Sequence, residues 1–141
     1  MDTRSTVIEL HKAYLAGDGE KVASMIHDDI DWVIHGPAHL FAFEGPRRGK
    51  AAVLETLAAI GRQFELKRYE QKILIVEGER AAVLSETAFL QRATGRLLVM
   101  QLVNFLRVVD GKIIEFREIS DTFDAVEQAV GVPLVVPAIA V

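Results

Sequence analysis

The hydrophobic pattern of this chain changes period once, near residue 65, and does not change back. Beyond that point apolar and polar residues alternate through segments at about 66–77, 80–93, 96–109 and 112–121. Gly78-Glu79, Thr94-Gly95 and Asp110-Gly111 separate them. Period two is the signature of a strand, and Asp-Gly between two such runs is a strong hairpin signal. Four hairpin-linked strands make an antiparallel sheet. Two of them run to about 14 residues, well beyond the usual strand of about 5–6, so the sheet must twist and bend strongly.

Ahead of the switch the spacing is helical. Val7, Ile8, Leu10, His11, Tyr14 and Leu15 predict a helix from about Ser5 to Ala16, ended by Gly17-Asp18-Gly19. Asp18 is placed to cap a second short helix carrying Val22, Ala23 and Ile26. Asp28-Asp29 opens a strand, Ile30 to Ile34, closed by Gly36-Pro37, and a loop anchored by Phe41 and Phe43 runs to Gly49. A third helix, about Lys50 to Phe64, bears Val53, Leu54, Leu57 and Ile60, and Asp121-Thr122 starts a last one ending near Val130. Helices gathered on one side of an antiparallel sheet define an α+β domain. A strongly bent sheet with helices on its concave face is a cone, and a cone has an interior cavity. The domain spans residues 1–131, and residues 132–141 form an apolar tail broken by Pro133 and Pro137.

Composition narrows the chemistry. A chain of 141 residues suits one domain. It has no Cys, so disulfides, zinc-thiolate sites, iron–sulfur clusters and cysteine nucleophiles are excluded. A formal net charge of −4 opposes nucleic-acid binding. The tight basic cluster Arg47, Arg48 and Lys50 reads as a solvated loop rather than a phosphate clamp. Met1-Asp2-Thr3-Arg4 lacks a signal-peptide layout, and no apolar run approaches the roughly 20 residues that span a bilayer, so a cytoplasmic protein with no membrane partner is expected. Asp31, His35 and His39 are four apart, but that spacing converges only on a helix, and here it crosses a strand end and Gly36-Pro37; no metal site is expected. The chain shows no dinucleotide fingerprint and no nucleophile elbow, and no cofactor is expected.

Alternation also sorts the last strand. One face holds Ile114, Phe116, Glu118 and Ser120, the other Ile113, Glu115, Arg117, Ile119 and Asp121. The first is the more apolar and should turn inward, which makes Glu118 a carboxylate in apolar surroundings. Desolvation there would raise its pKa and suit it to acid–base work near neutral pH; pairing with Arg107 or Arg117 is the alternative. Asp121 competes with Glu118 for the role of acid–base, and equally reads as the N-cap of the last helix. In 96–109 both faces are largely apolar: Leu98, Met100, Leu102, Asn104 and Leu106 on one, Val99, Gln101, Val103, Phe105 and Arg107 on the other. One lines the cavity and the other packs on a second copy, so a homodimer through the outer sheet face is expected, with the tail beside it.

Several segments, in this order, resemble the nuclear-transport-factor-2-like superfamily, in its SnoaL-like and ketosteroid-isomerase-like branch. They are Tyr14-Leu15-Ala16-Gly17-Asp18, His27-Asp28-Asp29-Ile30-Asp31-Trp32, Phe43-Glu44-Gly45-Pro46-Arg47-Arg48-Gly49-Lys50, Ala93-Thr94-Gly95-Arg96, Val109-Asp110-Gly111-Lys112-Ile113-Ile114 and Phe116-Arg117-Glu118-Ile119-Ser120-Asp121-Thr122. The resemblance covers about residues 5–130 and implies a cone-shaped α+β roll. Set against the ketosteroid-isomerase pattern, the neutral-acid position falls on Asn104, the base position on Ile34, and the tyrosine position on Leu10, with Tyr14 one turn further along the same helix face. Ile34 cannot move a proton, so steroid isomerisation itself is not expected. The matched register turns Ser85, Thr87, Phe89 and Gln91 inward with Glu118 and Ser120.

The resulting site has Trp32, Phe43, Phe89, Leu102 and Phe116 as walls. Its polar points are Tyr14, Ser85, Thr87, Asn104, Glu118 and Ser120, with His35 at the rim. Glu118, Asn104 and Tyr14 are the candidate catalytic residues, the last two as donors to a developing oxyanion. Two functions remain open: a cofactor-independent isomerase, cyclase or hydrolase acting on a hydrophobic oxygenated small molecule, and a non-catalytic binding or dimeric scaffold domain.

Overall fold

The four alternating segments form β3 (Phe64–Glu77), β4 (Arg80–Gln91), β5 (Leu97–Val109) and β6 (Lys112–Ser120), each antiparallel to the next. The computed structural model describes residues 1–139. At the β5–β6 turn Asp110 and Gly111 have φ of 51° and 71°, the paired positive values of a type I′ hairpin. Register shifts in β3, between Leu66 and Arg68 and between Gln71 and Ile73, bend the long strands.

The first part of the chain gives α1 (Thr3–Leu15), α2 (Gly19–Ser24), β1 (Ile26–Ile34), β2 (Gly45–Arg48) and α3 (Lys50–Gln63), and α4 (Thr122–Val130) follows β6. Asp2, Asp18 and Asp121 cap α1, α2 and α4, accepting from backbone amides at 2.7, 3.0 and 3.1 Å. The six strands lie in the order β2-β1-β6-β5-β4-β3, a curled and unclosed sheet. The expected α+β cone is therefore present, with three refinements. β1 starts at Ile26 rather than Ile30, because Ile26 is itself buried and pairs with Ile113. Residues expected in a loop form β2, an edge strand whose Pro46 lacks an amide to donate. β1 also runs parallel to β6, which is possible because the whole meander serves as the crossover between them.

Ile113 lies inside at 1% exposure, against the simple alternation. A bulge is the reason: Arg107 pairs with Glu115 but Val108 with Ile113, so Ile114 has no opposite number and the phase resets. The core joins α1, α3 and the concave face through Val7, Ile30, Val53, Val83, Leu106 and Ile113. Burying each such side chain contributes roughly 1.5–3 kcal/mol. Residues 133–139 have no regular secondary structure; Leu134 N donates to Glu127 Oε2 at 2.7 Å, and Val135 is fully exposed. The last two tail residues lie outside the described residues. Among those described, no helix is long and apolar enough to cross a membrane.

Candidate active site

The cone holds a cavity of about 170 Å³ lined mostly by apolar side chains. The β1–β6 ladder sets Trp32 beside Phe116 and Ile34 beside Glu118. Trp32 and Phe116 stack with ring centres 3.9 Å apart and form one wall. Phe43 meets Phe64 edge-on at 5.9 Å, and Phe64 meets Phe89 at 6.2 Å, forming another.

Glu118 projects from β6 among these walls. Neither arginine considered as its partner reaches it: Arg117 binds Asp31 at 3.0 Å, and Arg107 binds Glu79 and Glu115. Its partner is neutral. Asn104 Nδ2 donates to Glu118 Oε1 at 3.1 Å, and the Tyr69 hydroxyl donates to Asn104 Oδ1 at 3.1 Å. Burial pushes the Glu118 carboxyl up to about 6, against the opposing effect of the Asn104 bond. Tyr69 is held in turn by α1, where His11 Nε2 donates to the Tyr69 carbonyl at 2.9 Å and Tyr14 meets the Tyr69 ring edge-on at 5.9 Å. Burial first, and then the charge of Glu118, raise the Tyr14 hydroxyl to about 12.

Most residues singled out in the sequence meet here: Tyr14, Trp32, Phe43, Phe89, Leu102, Asn104, Phe116, Glu118 and Ser120 all line the cavity. Four do not. Ser85 and Thr87 turn inward but are 0% and 1% exposed and lie beneath the lining; Thr87 Oγ1 donates to the Met100 carbonyl, and Ser85 Oγ has no partner. His35 is exposed beyond the end of β1, where the chain turns outward at Gly36-Pro37. Asp121 is exposed and spends its carboxylate on capping α4. Asn104 also differs in role, since its amide links Tyr69 to Glu118 instead of standing free. Asp31, spaced with His35 and His39, is occupied by Arg48 and Arg117, and among the described residues no three metal-ligating side chains converge.

Two cavity-lining residues escape the pattern. Tyr69 sits between the β3 bulges, where alternation loses its phase, although a tyrosine within Lys67-Arg68-Tyr69-Glu70 was a visible anomaly. Glu44 lies in the β1–β2 connection, 4% exposed and on the cavity lining. Burial and then the Glu118 charge push it up to about 7. Arg47 pins this connection, donating to Thr56 Oγ1 and to the carbonyls of Ala42, Glu44 and Pro46. That half-buried clamp replaces the solvated loop expected of Arg47.

A curled sheet wrapped on helices around an apolar cavity with one carboxylate on a neutral relay defines a nuclear-transport-factor-2-like domain. The model of the SnoaL-like domain family matches residues 7–116, and the chain belongs to that family. Among solved structures, a proposed isomerase from Rhodopseudomonas palustris is similar at 34% identity over 89% of this chain and 93% of its own, with a TM-score of 0.81. A proposed polyketide cyclase from Pseudomonas putida shares the fold at 20% identity and a TM-score of 0.81, covering 91% of this chain and 98% of its own. So does an LEH-like epoxide hydrolase from M. tuberculosis, at 15% identity and a TM-score of 0.73, over 90% of this chain and 88% of its own. Among curated proteins none matches the chain in sequence.

Proposed function

We propose that this chain is a SnoaL-like enzyme that moves protons on a hydrophobic, oxygen-bearing small molecule held in the cone. One observation carries the reading: Glu118 stands in an apolar cavity with a neutral amide as its hydrogen-bond partner and a pKa raised to about 6. Such a group is ionised enough at neutral pH to accept a proton and basic enough to pull one. The Tyr69–Asn104 relay is a positioning device that fixes the carboxylate's orientation. The Tyr14 hydroxyl, which makes no hydrogen bond among the described residues, is free to donate to a ligand oxygen that gains charge.

The test is a panel of steroid enones, terpene epoxides and aromatic polyketides, screened by thermal shift and then by turnover. A hit is expected to stabilise both wild type and Glu118→Gln, while turnover falls about 10²–10⁴-fold in the variant. The wild-type rate should rise as pH climbs through about 6, where Glu118 ionises. A binding-only domain is the second reading, favoured by Ile34 at the position where the resemblance places a base. Ligands that bind without being converted at any pH would establish it. We also propose that two copies pair through the convex face of the sheet.

A further inference from the structure

Glu44 has the marks of a group kept for chemistry rather than for stability. Its side chain is almost wholly buried and its Oε1 has no hydrogen-bond partner. An unpaired buried carboxyl costs a fold free energy that an apolar side chain such as leucine would spare. The nearby cation Arg47 does not neutralise it, because that guanidinium is engaged with Thr56 and three backbone carbonyls. The backbone makes room for it: a Cβ at Gly36 would overlap the Glu44 carboxyl group. Glu44 directly precedes Gly45, which pairs with Ile34, and Ile34 lies beside Glu118. Two strand spacings separate those backbones, about 10 Å, and both acids line the same cavity. The residue between them is Ile34, the place where a base was missing.

We propose that Glu44 is a second catalytic carboxyl of the cavity, acting as the acid on the oxygen of an uncharged ketone while Glu118 acts as the base on the adjacent carbon. The proposal rests on the reading of Glu118 given above and deepens it by naming the substrate class. The cavity lining contains no Lys and no Arg, so it offers an anionic ligand two carboxyls and no counter-charge. In the step, the Glu118 carboxylate takes a proton from the α-carbon, and the C–H electron pair becomes a C=C bond. The carbonyl π pair takes the proton of Glu44, giving an enol, a protonated Glu118 and an ionised Glu44. Return of a proton from Glu118 to carbon, and of the enol proton to Glu44, restores both groups.

The ionisable groups around the pair are Tyr14 and His11 from α1 and Tyr69 from β3; α3 and α4 present only uncharged residues to the cavity. Glu118 lies near 6 and Glu44 near 7. Between those values the first is mostly ionised and the second mostly protonated, as the step requires.

The experiment is hydrogen–deuterium exchange at the α-carbons of cyclohexanone in D2O, followed by proton NMR from pH 5 to 9. Wild type is expected to accelerate exchange over buffer with a bell-shaped profile, rising through about pH 6 and falling above about 7. Glu44→Gln should slow exchange about 10²-fold and remove the alkaline fall. Gly36→Ala, whose backbone conformation an alanine adopts, should do the same by evicting the carboxyl. If Glu118→Gln abolishes exchange while both other variants keep the wild-type rate and profile, the role of Glu44 is refuted and that of Glu118 stands. If wild type does not accelerate exchange, or Glu118→Gln exchanges as fast, the underlying reading fails and this one with it. Should Glu44→Gln not fold, carboxyl carbon titration of wild type decides: a Glu44 midpoint at the ordinary value near 4.5 overturns the proposal.

Discussion

Glu118 binds its proton more tightly in the folded chain than in the unfolded one, because burial raises its pKa from 4.5 to about 6. Between those pH values the folded state holds more protons, so stability falls as pH rises through the window. One pKa unit is worth about 1.4 kcal/mol, which puts the burden of the ionised group at about 2 kcal/mol above pH 7. Glu118→Gln is expected to raise the melting temperature at pH 8 by several degrees and to leave it nearly unchanged at pH 4, read by circular dichroism. That residue was legible in the sequence because a single acid interrupts an apolar alternation, and a period-two strand leaves only two directions for it. Asp121 was ambiguous for the opposite reason: at a strand–helix junction one carboxylate satisfies both a cap motif and a strand face, and the cap prevailed. Glu44 has no such signal. A connection without a period gives no face, and the void at Gly36 that admits its carboxyl depends on two backbone segments meeting in space.

Elements were read more securely than faces. The hairpin turns sit where Gly78-Glu79, Thr94-Gly95 and Asp110-Gly111 place them, since turn chemistry is local. The bulges are not local: the phase reset at Ile114 and the breaks flanking Tyr69 arise from how neighbouring strands must bend together. β2 was missed because a four-residue edge strand containing proline and two arginines carries no alternation of its own. It is held instead by Arg47, whose four hydrogen bonds tie β2 and the preceding connection to α3. Arg47→Ala should lower stability by about 1 kcal/mol or more in urea unfolding, since it leaves the part-buried acceptors Thr56 Oγ1 and the Glu44 carbonyl without their donor. Arg47→Lys should recover little of it, because an ammonium cannot reproduce the planar fork.

The convex side of the sheet keeps the apolar character seen in the sequence. Ile73 and Ile75 on β3, Val99 and Phe105 on β5 and Ile119 on β6 are each about half exposed. A patch of that breadth is unusual on a monomer. The proposed homodimer should appear at micromolar concentration in sizing with light scattering, and Phe105→Asp should convert it to a monomer, while a wild-type monomer would remove this proposal. The parallel ladder has a different consequence, one of time rather than space. The β3–β6 meander needs only contacts between successive strands, whereas Ile34 must find Glu118 across more than eighty residues of chain. Loop-closure entropy makes that pairing slow. In a molecule with β1 and β2 still undocked, Glu118 already has Asn104 and Tyr69 beside it, but Trp32 and Glu44 are absent. The cavity is therefore complete only once β1 has docked on β6, and a local opening that peels β1 from β6 would take Trp32 and Glu44 out of it while the meander keeps its own strand pairs.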